Sequence, residues 1–415
     1  MAHAGIPRPS LSRGIFLLRA SPDRPRVRVR ESWRRRSVES SVTSRLASTP
    51  LSVLDRSRTR EGYDGPAALR DTVRFAQRIE ALGYHRFWVA EHHSVPGVAG
   101  SAPVVLAAAV AAATSVIRVG TGGVMLPNHQ PLVVAEQFGV LASLFPGRID
   151  MGLGSSIGFT DGIRRALGRD ASDAEEFEAR LTELLDFFRG PDGHGTGGSP
   201  AHPGVHAHPA EGLRVPAYVL ATGSGADIAA RAGLPLVISG FQGRDRMLAA
   251  IDRYREGFRA AQPESGAGSG PGTGGEVGAR SGHPRVIYSG TVAVAATEEA
   301  ARRLLVSEAW ALAHSRTHGV FPPLAPAGRV ESTAMTARER GFYESALRGH
   351  IAGTEEQVAA ELESVLEATE ADEVLVTTSA YERDALLDSY RRLAGIAGTA
   401  AGPPTPSERL TSTTA

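Results

Sequence analysis

The run Trp88-Val89-Ala90-Glu91-His92-His93 places one carboxylate and two imidazoles at the end of a short apolar segment. Such a group can bind a metal, transfer protons or contact a cofactor. Side chains alternate across a strand end, so at most two of the three face one site. A metal would need further ligands from other strand ends. Those ends offer Asp55, Gly154, Thr222, Ser239 and Thr378, so no metal is expected. Proton transfer or cofactor contact is the favoured chemistry, and a structural hydrogen-bonded His pair is the plain alternative.

Two further motifs belong beside it. Gly120-Thr121-Gly122-Gly123-Val124 interrupts an apolar segment with glycines, which fits either close approach by a flat ligand or packing in a crowded interior. Thr222-Gly223-Ser224-Gly225 precedes a helix. Its hydroxyls, backbone N–H groups and helix N-terminus suit an anion, whereas a plain loop with a Ser N-cap is the other reading. His202, His206 and His208 lie in a Gly/Pro-rich stretch and read as an exposed loop.

What is missing narrows the chemistry further. The 415 residues include no cysteine, and all 45 basic residues are arginine. Thiolate nucleophiles, Cys-ligated metals, Schiff bases and P-loop lysines are therefore excluded. An anionic ligand must be held by arginine, hydroxyls or backbone N–H groups. Net charge is zero, which points to neither nucleic acid nor a membrane surface. No apolar run reaches the ~18–20 residues that span a bilayer, and a cytoplasmic protein is expected.

The elements that must position these groups follow from periodicity. Residues 1–50 carry eleven Arg against three acidic residues and no hydrophobic period. They read as a disordered extension or a mis-assigned start, with an Arg- and Ser-rich transit-type peptide as the alternative. From Leu51 a βα alternation begins. Strands are expected at Leu51–Asp55, Phe87–Ala90, Ile117–Leu126, Arg148–Gly154, Pro216–Ala221, Pro235–Ser239, Arg285–Ala295 and Asp372–Thr378. Nearly every one is followed by a helical pattern, including Leu69–Leu82, Pro131–Leu144 and Thr354–Ala368, the last opened by a Thr354/Gln357 capping box. Eight such units over residues 51–396 favour an α/β fold of the (β/α)8 barrel type over an open sheet. Gly190–Leu213, Gln262–Pro284 and His314–His350 read as irregular loops, and 397–415 as a disordered tail.

In order and spacing these segments resemble the luciferase-like monooxygenase family. The segments that carry the resemblance are Leu51–Asp55, Gly83–His93, Gly120–Pro131, Ala135-Glu136-Gln137, Gly147–Gly154 and Gly353–Val358 through Ala371-Asp372-Glu373. The resemblance implies a (β/α)8 barrel using reduced FMN and O₂ to oxygenate a small organic substrate, with the deazaflavin F420 in some branches. It implies that His92 is the catalytic histidine, with Glu91 or His93 orienting it. Gly122 and Gly123 fall where the family has a cis peptide against the flavin ring, and Thr222, Gly223 and Ser224 where it holds the flavin phosphate. At Ser155 the family commonly has a phosphate-holding arginine, so Arg164, Arg165 or the helix N-terminus alone is the expected substitute. Weak flavin binding would suit supply by a separate flavin reductase. An F420-dependent hydride-transfer enzyme and a non-catalytic flavin-binding protein are the alternatives. Family members are often homodimers.

Overall fold

A computed structural model describes residues 44–189, 201–260 and 282–398. Eight parallel strands form its centre: β1 Leu51–Asp55, β2 Arg86–Val89, β3 Arg118–Thr121, β4 Ile149–Gly154, β5 Ala217–Ala221, β6 Leu236–Ser239, β7 Val286–Gly290 and β8 Glu373–Val376. They pair in the order β3-β2-β1-β8-β7-β6-β5-β4, and β4 returns to β3 through Val119↔Ile149 and Gly120↔Asp150. The closed (β/α)8 barrel is the architecture expected from the eight apolar segments. β1 is buried at every residue, as strands covered by helices must be.

The helices follow their local signals. Gly65–Ala81 is capped by Asp64, whose Oδ1 accepts the Ala67 N–H at 2.7 Å, and it buries Ala68, Thr72, Phe75, Ala76 and Ile79 on one face. The Thr354/Gln357 capping box is present at Glu355–Thr369.

Three sequence expectations need correction. The segment Ile117–Leu126 is broken at Gly122-Gly123 into β3 and a short strand, Val124–Met125. Arg285–Ala295 is likewise broken, into β7 and Val292–Val294, and the latter pairs with Ile351–Gly353 in a separate two-stranded sheet. His314–His350 is not irregular. It completes the long helix Glu298–His318 and adds Ala327–Ser332 and Ala337–Leu347, the last with its own Thr336/Glu339 capping box. That helix is rich in Arg and Glu, so its apolar period is faint.

Residues 1–43, 190–200, 261–281 and 399–415 lie outside the described residues. This removes most of the expected N-terminal extension, part of two expected loops and nearly all of the tail. Ser44–Pro50, placed in the extension by sequence, includes a helical turn, Arg45–Ser48, with Leu46 buried. Among the described residues no helix is long and apolar enough to cross a membrane.

The barrel interior is layered. At the N-terminal ends of the strands, Arg86 bridges Asp150 (2.8 Å) and Glu373 (3.0 Å), and Arg118 Nε donates to Asp150 at 3.1 Å. Trp88 Nε1 also donates to Asp150, at 3.1 Å, and Ser52 Oγ donates to Glu373. Above this ionic plate lie Leu54, Trp88, Tyr218, Val237, Ile287 and Leu375. The C-terminal ends of the strands stand on that apolar layer.

Candidate active site

The C-terminal ends of β2 through β7 surround a cleft of about 290 Å³. Glu91 and His92 line it from β2, Gly122 and Gly123 from β3, and Gly154, Ser155 and Ser156 from β4. Thr222 enters from β5, Ser239 from β6 and Ser289 from β7. The mouth of a (β/α)8 barrel is where strand-end groups converge on a ligand.

His92 is held by its own backbone, whose N–H donates to the Gly100 carbonyl at 2.8 Å. Its ring is less constrained. Nδ1 is buried and has no hydrogen-bond partner among the described residues. Burial, and then the positive charges of Arg56 and Arg58, depress its pKa to about 4, so the imidazole is neutral at pH 7. Those arginines follow β1 and share Glu308, at 2.6 and 2.5 Å. Phe159, 63% exposed, stacks over the His92 ring with centroids 6.2 Å apart. The result is a neutral imidazole with an open valence under an apolar cover.

Glu91 and His93 do not orient His92, as sequence reasoning expected. Glu91 Oε1 meets His93 Nε2 at 2.6 Å and His129 Nε2 at 2.8 Å, and Oε2 accepts the Met125 N–H at 2.8 Å. Strand alternation is the reason: neighbouring side chains take different directions, so Glu91 turns towards the loop after β3. Burial alone would raise the Glu91 pKa, but the bonds from His129, His93 and Met125 outweigh it and hold the pKa at about 2. The cluster answers the search for a third metal ligand that the strand ends did not supply, since Glu91, His93 and His129 bring one ligand atom each within 4.8 Å. One carboxylate oxygen already sits at hydrogen-bond distance from both imidazoles, so the arrangement is a clamp that fixes the β3 loop to β2.

Gly122 and Gly123 line the cleft as a bare peptide, and their bond is cis. Packing explains the residue type. A Cβ at Gly122 would meet Leu54 Cδ1 at 2.7 Å and Trp88 Cε3 at 3.2 Å, and one at Gly123 would meet the Gly152 carbonyl at 2.8 Å. The packing reading of this motif therefore holds: the barrel crowds the glycines from behind, and their peptide lines the cleft in front.

The anion-loop residues separate. Thr222 lines the cleft and, with Gly223, a second cavity beside it. Ser224 is exposed and makes no side-chain cap bond to the helix Gly225–Ala232. Ser155 lies in the cleft wall. Arg164 donates to the Gly158 carbonyl at 2.8 Å and pairs with Asp161, which commits it locally. His202 and His206 pair with Glu183 (3.0 Å) and Glu211 (2.9 Å) in their loop, away from these groups in the bonding pattern.

Sequence reasoning missed His129, Arg56 and Phe159. His129 stood in the Gly120–Pro131 run, but nothing in its spacing ties it to Glu91, 38 residues earlier.

The family model described as luciferase-like monooxygenase matches residues 49–394. A luciferase-like monooxygenase of Escherichia coli strain K12 is 32% identical over 344 residues, 82% of this chain and 94% of that protein. The N-acetyl-S-alkylcysteine monooxygenase of Bacillus subtilis is 47% identical over 152 residues, 35% of this chain and 44% of that protein. Among solved structures, apo-MsnO8 is 29% identical with a TM-score of 0.69, covering 85% of this chain and 99% of that one. Two more distant structures share the fold. One is the oxygenating constituent of 3,6-diketocamphane monooxygenase of Pseudomonas putida in complex with FMN, 16% identical with a TM-score of 0.59, covering 86% of this chain and 100% of that one. The other is an F420-dependent secondary alcohol dehydrogenase, 17% identical with a TM-score of 0.55, covering 84% and 99%. The chain belongs to the luciferase-like monooxygenase family.

Proposed function

We propose that the protein is a flavin-dependent monooxygenase that uses reduced FMN and O₂ to oxygenate a small organic substrate. The observation that carries this reading is the buried, unpartnered Nδ1 of the neutral His92, set in one cleft with the bare Gly122-Gly123 peptide. An orphaned buried polar atom calls for a partner, and a flat wall without side chains accommodates a ring system. These residues fit a flavin.

When bound, reduced flavin supplies the electrons and the site of O₂ activation. The chain supplies the surroundings. Gly122 and Gly123 would lie against the ring, and Ser155, Ser156 and Thr222 would offer hydroxyls along one side of the cleft. His92 would accept or return a proton at Nδ1, which its neutral state permits at pH 7. Phe159 and the apolar layer of Leu54, Trp88 and Tyr218 would limit water, which protects a reactive state from hydrolysis. Glu91, His93 and His129 would position the loop that carries the wall. With Ser155 where the family commonly has arginine, reduced flavin arriving from a separate reductase fits a site of modest affinity. A homodimer is the expected assembly.

Titration of the purified chain with FMN, reduced FMN and F420, read by absorbance and O₂ consumption, tests this. N-acetyl-S-alkylcysteines are the first substrates to try, given the relative that acts on them. Substrate-dependent oxygenation with reduced FMN is the expected result. Binding and reduction of F420 would replace the reading with hydride transfer, and tight FMN binding without turnover would leave a flavin-binding protein.

A further inference from the structure

A second cavity of about 230 Å³ adjoins the cleft: Thr222, Ile238 and Ser239 line both, and Gly223 lines the second. Side by side, the two offer volume in the ~300–1,000 Å³ range usual for small-ligand and cofactor sites. The helix Arg244–Gly257 lines the second cavity with Met247 and with a stripe of Arg246, Ala249, Ala250 and Arg253. Spacing of three, four and seven residues puts these side chains on a single helical face.

The two cations on that stripe differ in what is left to them. Arg253 is paired with Asp227 at 3.2 Å and donates to the Ala249 carbonyl. Arg246 makes no hydrogen bond or ion pair among the described residues, and neither Asp245 nor Asp252 lines the cavity. The polar surface beside it is donor-rich: the Thr222 and Ser239 hydroxyls and the backbone at Gly223. The second cavity thus carries an uncommitted guanidinium with hydroxyls and, among the described residues, no lining carboxylate. That cavity suits a compact anion with several acceptor oxygens.

We propose that Arg246 binds the terminal phosphate of the flavin, filling the role that Ser155 cannot. This rests on the flavin reading of the His92 cleft and adds to it the residue that distinguishes FMN from riboflavin. Arg164 cannot take the role without giving up Asp161 and the Gly158 carbonyl.

The test is equilibrium binding of oxidised FMN and of riboflavin to the full chain, with Arg246→Ala and Arg246→Lys. Arg246 is exposed, so both variants should fold, which a thermal melt verifies. The wild type should bind FMN more tightly than riboflavin, and inorganic phosphate should weaken FMN binding only. Arg246→Ala should lose about tenfold to a hundredfold in FMN affinity, the range for a charge-assisted contact, and leave riboflavin unchanged. Arg246→Lys should fall between, because a point charge replaces a two-pronged donor. Equal losses for both flavins, or FMN affinity indifferent to Arg246, would overturn the assignment and leave the flavin site standing. Binding of neither flavin by the wild type would remove the flavin reading and this assignment with it.

Discussion

The two ends of the barrel use the same kinds of residue to opposite effect. At the N-terminal end, buried Arg86, Asp150 and Glu373 and the half-buried Arg118 pair with one another. At the C-terminal end, the half-buried His92 has its Nδ1 buried and, among the described residues, unpaired, and buried Arg58 likewise leaves Nε without a partner. Burial of an unpaired polar group costs stability, so native chains place such groups where something else gains. The ionic plate fills its valences across β2, β3, β4 and β8, whereas the mouth leaves some unfilled. The difference shows that charge inside a barrel is no guide to function by itself; what matters is whether its valences are already filled.

Removing a member from each end should separate the two roles. Asp150→Ala takes the shared acceptor from Arg86, Arg118 and Trp88 and strands buried charge. It should cost about 3–5 kcal/mol, read by denaturant titration, and much of the protein should be insoluble. A loss below about 1 kcal/mol would mean that the plate does not support the barrel.

Gly123→Ala sharpens the boundary between the layers. Its Cβ would press on the Gly152 carbonyl, which is backbone and cannot swing aside. A cost of about 1–3 kcal/mol is expected, with loss of flavin binding in the fraction that folds. Wild-type affinity in a stable Gly123→Ala chain would contradict the wall.

The clamp lies between the two extremes. Glu91→Gln replaces an acceptor shared by His93, His129 and the Met125 N–H, and about 1–3 kcal/mol should be lost at pH 7. The sign with pH follows from the depressed pKa. The stabilisation from Glu91 is complete above its ordinary value of 4.5 and is lost as pH falls through about 2. A melting profile for Glu91→Gln should therefore be flatter than wild type over that window.

Arg56→Met should produce the smallest change. The Arg56 charge helps depress the His92 pKa, after burial. Its removal should move the acid limb of the turnover profile upwards from about 4, towards the ordinary histidine value of 6.5. An unmoved limb would mean that another group sets it.

The barrel was legible because its strands are apolar runs and its helices carry caps such as Thr354/Gln357. Breaks inside strands were not. Thr291 separates β7 from Val292–Val294 without a local signal, because the cause is a distant partner, Ile351–Gly353. The site was legible residue by residue, not in its connections. His92, Gly122, Gly123, Ser155 and Thr222 were named from strand ends and resemblance and line the cleft at the mouth, while Gly223 lines the adjoining cavity. Ser224 stays outside. The partner of Glu91 and the cation at Arg246 depend on a loop folding back and on a helix face meeting a cavity, which one-dimensional spacing does not encode.

In the proposed reaction His92 handles a proton for oxygenation and supports no part of the fold. His92→Ala, mixed with reduced FMN and O₂ in stopped-flow absorbance beside a thermal melt and an FMN titration, tests it most directly. Stability should stay near wild type and FMN affinity should fall by no more than about tenfold, the worth of one hydrogen bond, while oxygenation at saturating reduced FMN falls by about 10²–10⁴, the range for a lost general acid or base. Undiminished oxygenation in a variant that binds FMN would contradict the account.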